Sequence, residues 1–354
     1  SLSIENTDDS YDLVLESLNF YGGTLYAGNS LYLASAGDVV VQNYSGSSTG
    51  NTANTGAAII CNTGEVIVEA ADDITIYADN KAISAPNVTL TSHGENSLIE
   101  VESYNEHCPA VSGSLTIPDA NKVSLYSNNA PVVGQNVSIT ARSEINLVTT
   151  ANALFSEGMK TELNCDGLIY QVTGCDTADE VVKIYYQGEA YEDVMYVDSS
   201  APGLDLSNTT PTIEKPFDVT KKTLFVYGGS GLGIWVPTRD ETGKATRGTL
   251  TLKDVQYNSN RSGSIILPKM PVHLVFEGEN DLTAPIVEDF LTAQEDLVIE
   301  LAAGSTTTIT SPTDNAFAFA DGVAAKTMAL IGDGELTLHV ERGYAFDLVN
   351  GGGE

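Results

Sequence analysis

The chain is poor in positive charge, with 16 Lys and Arg against 48 Asp and Glu, which leaves a net charge of −32 over 354 residues. Only Lys81, Lys122 and Arg142 are basic in the first 150 positions. A surface of that sign repels phosphate backbones and anionic lipid, so nucleic acid is not expected as a partner and anionic membrane is a poor one. Pectin-like polyanions are disfavoured too, unless divalent cations bridge the two surfaces. No apolar run reaches the 18 or so residues of a membrane-spanning helix, so no membrane insertion is expected. The start at Ser1 and Leu2 carries no basic region followed by an apolar one, and reads as the start of a processed or trimmed piece.

Cysteine is sparse as well, with four in the chain, too few for a disulfide scaffold. Cys61 and Cys108 fall two repeats apart, roughly 9.6 Å if stacked, beyond the reach of a disulfide, and are expected as free, buried thiols. Cys165 and Cys175 are near enough in sequence either to close a short loop or to stay apart. The four histidines show no His-x-x-x-His spacing, and His273 and His339 are expected on outward, solvated slots.

What the chain has instead is repetition. The apolar pairs Val66/Val68, Val88/Leu90, Leu115/Ile117 and Val137/Ile139 march in step with Ile74/Ile76, Ile99/Val101, Val123/Leu125 and Ile145/Leu147. Successive strand residues point to opposite faces, so each pair puts two side chains on one face and a mostly polar residue on the other. A third apolar pair recurs in the same cycle: Ile59/Ile60, Ala82/Ile83, Ala110/Val111, Val132/Val133 and Ala153/Leu154. Three short strands per cycle of twenty-odd residues, parted by Gly, Asn, Asp and Ser, signal a β-solenoid, since no single unit buries its own apolar face. The fold expected is all-β, a right-handed parallel β-helix. A β-sandwich with evenly spaced strands is the competing architecture, but it calls for more two-residue Asn-Gly or Asp-Gly turns.

Three segments are expected. Residues 1–175 form a β-helix with a capping first coil, a lateral loop at 45–56 and five regular coils over 57–174. Residues 176–222 form a connector punctuated by Pro202, Pro211 and Pro216, with a strand pair at Val181–Tyr186 and Asp193–Val197. Residues 223–354 form a second β-helix with longer coils, breaking off just after a new coil begins. Its strand candidates include 249–252, 272–276, Ile286/Val287, Leu297–Leu301, Phe317, 328–331, 336–340 and Phe346, with a helical turn at 287–293.

The strings GTLTLKDVQYNSNRSGSIIL, VHLVFEGENDLTAP and LIGDGELTLHVERGYAF resemble secreted repeat proteins of anaerobic Gram-positive bacteria of the carbohydrate-binding-domain-containing type. Those proteins carry units of apolar-Thr-apolar, then Gly-x-Asn, then a new apolar pair. The likeness covers mainly residues 249–350 and more loosely 57–163. It implies a right-handed β-helix, a secreted or cell-surface location and recognition of polysaccharide, with calcium in some relatives. No binding residue carries over, because the shared residues build the coil.

Pectin-cleaving enzymes share this architecture. Asn6, Thr7 and Asp8 resemble the Asn-Thr-Asp of polygalacturonases, and Asp72 and Asp73 resemble their acidic pair, but some 64 residues separate the two. That is about three coils, roughly 14 Å along a stack, too far for paired carboxylates. A Gly-His-Gly element is also missing. GSSTG at 46–50 matches Gly-x-Ser-x-Gly without the helix a nucleophile elbow needs, and GGSGLG at 228–233 reads as a turn without a phosphate-loop Lys.

Two candidate sites remain. Asp72, Asp73 and Asp79 lie at turns of one coil and offer the hard oxygen ligands that calcium prefers, although Asp is also a plain turn former. Tyr77 and Tyr126 follow Ile76 and Leu125 on outward slots two coils apart, with Tyr104 at the same edge between them. Such a row either packs as an external ladder or offers aromatic faces to sugar rings. The reading is a non-catalytic bacterial module, extracellular or on the cell surface, that binds polysaccharide or cell-surface glycan or serves adhesion. A polysaccharide lyase or glycoside hydrolase, and a structural stalk or fibre, are the alternatives.

Overall fold

A computed structural model of the chain describes residues 11–15, 17–43, 56–175, 177–198, 200–207, 217–227, 231–258, 260–320, 322–323 and 326–348. Asn6 to Asp8, the loop at 45–55 with its GSSTG, positions 228–230 of the glycine run, Pro211, Pro216 and the last glycines lie outside them. Every regular element described is a β-strand, and the strands stack in parallel into a β-solenoid of about 12 turns. The chain divides into two compact units, Ser1–Ala190 and Tyr191–Glu354. The division falls inside the expected connector. Val181–Tyr186 and Asp193–Val197 do not pair with each other: the first runs antiparallel to Leu168–Thr173 and the second parallel to Thr223–Tyr227.

In the first unit the repeat is legible residue by residue. Leu31, Val66, Val88, Leu115 and Val137 are in register on one sheet, and Val39, Ile74, Ile99, Val123 and Ile145 on the next. All ten are buried, so each interior column is a stack of aliphatic side chains about 4.8 Å apart. Full burial of each such side chain contributes about 1.5–3 kcal/mol, shared with the coils above and below. Beside these columns runs a buried polar ladder. Ser103, Ser127 and Thr149 donate to turn carbonyls of Asn80 (2.6 Å), Cys108 (3.0 Å) and Asn129 (2.6 Å) respectively. Corner carbonyls that the strands leave over find their donors there. The reversed strand Val181–Tyr186 hydrogen-bonds the last coil and is itself followed in the sheet by Glu189–Tyr191.

The third apolar run departs from its expected register. Ile59 aligns with Ile83, Val111 and Val132, the column then continuing to Phe155 rather than Leu154. Ala82 and Ala110 are buried too, at the corner before the strand, so an apolar pair alone does not say which member enters the sheet. In two coils this run is not separate at all. Ile83–Ser92 and Val111–Ile117 bend through the corner as continuous strands, with a register shift between Ser112 and Ser114. Gly113 makes that bend with φ 146°, where a Cβ would lie 1.7 Å from the Ala85 carbonyl oxygen.

The second unit closes its coils with three sheets. Leu250, Leu274 and Ile299 stack on one, Leu282 and Ile309 on another, and Ile265, Leu291 and Phe317 on the third. Ile286 and Val287 are not strand residues. They stand 70% and 78% exposed, and the strand is Leu291–Ala293, which also replaces the expected helical turn. An antiparallel hairpin precedes the first regular coil, with Leu232–Arg239 between Thr223–Tyr227 and Ala245–Lys253.

The Gly-x-Asn element at 278–280 builds a corner between two sheets. Asn280 is 1% exposed, accepts from the Val255 N–H at 3.0 Å and donates to the Glu277 carbonyl at 2.9 Å. Asn280→Ala strands both backbone groups in the interior, a loss of about 2 kcal/mol. A urea midpoint equal to that of the parent chain would contradict this corner role.

None of the four cysteines forms a disulfide. Cys61 is buried as expected, whereas Cys108, Cys165 and Cys175 are partly exposed. Burial pushes the Cys165 thiol above its ordinary value, which favours the neutral, unreactive form.

Candidate functional site

The outward face of the second sheet of the first unit brings the expected tyrosines together. Strand register places Gln42, Tyr77, Glu102, Tyr126 and Val148 in one column, so Glu102 stands between the two rings. Their backbones are one strand spacing apart, which puts Tyr77 and Tyr126 roughly 10 Å from each other. The next column inward along the strands holds Thr75, Glu100, Ser124 and Asn146. Two carboxylates on one strand, Ile-Glu-Val-Glu, follow from the same alternation that sends Ile99 and Val101 into the core.

Tyr104 lies just beyond the strand end at 43% exposure, and its ring centroid is 5.9 Å from that of Tyr126, tilted by 46°. The hydroxyls are directed along the edge. Tyr77 donates to Glu100, Tyr104 to Glu102, and Tyr126 to Asn128 Oδ1 at 2.7 Å, while Asn128 Nδ2 donates to the Tyr104 carbonyl at 2.7 Å. Tyr104 and Tyr126 pack ring against ring, and all three tyrosines still face solvent in part. Burial, followed by its hydrogen bond to Glu100, holds the Tyr77 phenol far above the usual tyrosine range. Burial also raises Glu102, against the hydrogen bond from Tyr104, with nearby Glu100 adding to the rise. The edge therefore combines half-buried aromatic faces with two acceptor carboxylates and no neighbouring cation in either column.

The three aspartates are not brought together. Asp72 and Asp73 precede the strand Ile74–Ala78 and Asp79 follows it. At about 3.3 Å per residue, roughly 20 Å separates Asp73 from Asp79, too far for one ion. Asp73 instead accepts the Leu98 N–H at 2.8 Å, a turn role. Among the described residues no group of three or more His, Cys, Asp and Glu could hold a metal ion. His273 is not simply solvated either, since its Nε2 lies 2.7 Å from Glu300 Oε2 on the next coil. His339 is exposed as expected.

A feature not anticipated from the sequence is a polar cavity of about 740 Å³ in the second unit, lined by Asp254, Gln256, Tyr257, Asn258, Arg261 and Asp281 among others. Its only signal in the sequence is the break between apolar runs at 253–264, where Asp, Gln, Asn and Arg crowd together. The chain matches no protein-family model, no curated protein and no solved structure.

Proposed function

We propose that the protein is a non-catalytic, extracellular or cell-surface β-solenoid module that binds uncharged glycan along the tyrosine edge of its first unit. The observation that carries this reading is the column Tyr77, Glu102, Tyr126, in register on consecutive strands with Tyr104 beside it. Aromatic faces offer apolar area to the C–H face of a pyranose, and carboxylates between them accept its hydroxyl protons. The acidic edge and the net charge of −32 favour neutral sugars over uronates. A rigid stack of parallel strands fixes the spacing of the rings, so little ordering cost accompanies binding.

The test is a glycan array followed by titration calorimetry on the best neutral ligand. Tyr77→Ala combined with Tyr126→Ala is expected to weaken binding by roughly five- to 150-fold, from about 0.5–1.5 kcal/mol per ring. The interior columns are untouched by those changes, so the melting temperature should move little. Silence across neutral polysaccharides, or unchanged affinity in the double variant, removes this site.

A further inference from the structure

The cavity in the second unit lies where the strand Ala245–Lys253 turns into Gln256–Tyr257 and the next coil arrives with Glu279–Thr283. Asp254 occupies that turn in the left-handed region, with φ 54°. Asp tolerates that conformation better than most residues, but it still costs energy relative to glycine. Two glycines clear the space around it. A Cβ at Gly278 would fall 1.9 Å from Asp254 Oδ1, and one at Gly231 would fall 2.3 Å from the Asp254 carbonyl oxygen. The fold thus holds one carboxylate at a fixed place on the cavity wall, with Oδ1 accepting the Glu279 N–H at 3.0 Å.

Asp281 is the register partner of Gln256 and is exposed on the same wall. Arg261 follows a tight turn in which its N–H donates to the Asn258 carbonyl at 2.7 Å. Among the described residues the side chains of Arg261 and Asp281 take no ion pair and no hydrogen bond, although both line one cavity. The floor is Tyr257, whose face is covered by Tyr227 at 6.4 Å between centroids and 14° between planes. No aromatic platform is open there.

What fits such a wall is a ligand whose groups both donate and accept. A lone cation is opposed by Arg261, and an anion by two carboxylates and the net charge of the chain. An apolar ligand finds little to bury against. The volume lies within the range of small-molecule sites. We propose that this cavity is a second saccharide subsite, taking the uncharged terminal sugar of a glycan. Asp254 and Asp281 accept its hydroxyl protons, and Arg261 donates to its oxygens. It shares the reading of the protein as a glycan binder, but it is built by different residues from the tyrosine edge.

Saturation-transfer NMR on the full chain with the methyl pyranosides of glucose, galactose and mannose tests it. At least one of them is expected to show transfer. Asp281→Ala combined with Arg261→Ala should lower its affinity roughly tenfold or more, by loss of charged hydrogen bonds. Neither residue supports the fold, so the melting temperature serves as the control. Tyr77→Ala with Tyr126→Ala should leave this signal unchanged. Absence of transfer from all three glycosides overturns the subsite, whatever the array shows for the tyrosine edge. Transfer lost only in the tyrosine variant moves the binding there and overturns it equally. Preferential binding of glycine or glutamate, competing at Arg261, would replace the sugar by a zwitterion and also sink the proposal.

Discussion

Gly248→Val is expected to lower the stability of the second unit by about 3–5 kcal/mol, comparable to losing a buried tryptophan side chain. The ring of Trp235 crosses directly over Gly248. A Cβ at that position would lie 2.0 Å from Trp235 Cη2 and 2.2 Å from Cζ2, so a side chain and the indole cannot both be present. Nor can the ring slide aside. It meets Phe217 edge-on at 5.5 Å, and its Nε1–H donates to the Val219 carbonyl at 3.0 Å. Expulsion of the ring forfeits its burial and leaves that carbonyl without its donor. Because Trp235 is the one tryptophan of the chain, its fluorescence reports the event directly. Before any denaturant is added the emission should be shifted to the red, and the urea midpoint should fall. Trp235→Leu in the same chain should return part of the loss, since the two changes act on one contact. A variant with parental emission and midpoint would show that indole and glycine are not stacked.

Why the core could be read from the sequence and the corners could not follows from the physics of a solenoid. An interior column asks only for aliphatic bulk at every second residue, and Val123/Leu125 beside Ile145/Leu147 states that without reference to anything distant. Outward slots inherit the same register, which is how Tyr77 and Tyr126 were legible as members of one column, two coils apart. Corners have no such period. Ala82 and Ile83 are both buried, one in the bend and one in the strand, so their order in the sequence does not fix the register. Ile286 and Val287 look like a strand pair by composition, yet the chain bulges outward there, and the segment Leu291–Ala293 meets Ile265 and Phe317. The hairpin at 223–253 was hidden for a related reason. Antiparallel insertion into a parallel stack leaves no repeat to detect, and its key contact, Trp235 over Gly248, joins a large residue to an absent side chain.

The candidate sites divide along the same line. The tyrosine edge was visible because it rides on the repeat. The acidic triplet was misleading because Asp72, Asp73 and Asp79 are near in sequence but sit at opposite ends of one extended strand. Sequence proximity in a β-strand is spatial distance, about 3.3 Å for every residue. The cavity at Asp254 and Arg261 is the reverse case, in which a wall is assembled from two coils, with Asp281 supplied from a position 27 residues after Asp254.

Val101→Asp is expected to be the most damaging single change in the first unit, and its effect should depend on pH. Val101 is fully buried and lies in register between Ile76 on one side and Leu125 on the other, both also fully buried. A carboxylate placed there has no cation within the column, so burial favours its neutral form and lifts its folded-state value above the unfolded one of about 3.9. The native variant then binds more protons than the unfolded chain, and stability must fall as pH rises. Below the unfolded value both states are protonated, and only the cost of a buried polar group remains. Above it the deficit relative to the parent grows by about 1.4 kcal/mol per pH unit until the folded-state value is passed. Val101→Asn separates the two contributions, since it carries the polar cost of about 1–3 kcal/mol with no titration. Urea denaturation of parent and both variants at pH 5 and pH 8 measures this, with the parent's own pH dependence subtracted. A constant deficit for Val101→Asn beside a deficit for Val101→Asp that widens by several kcal/mol places position 101 in a dry interior column. Small and equal deficits at both pH values would mean that water reaches it, and that the aliphatic stack on which the outward tyrosine register depends is not closed.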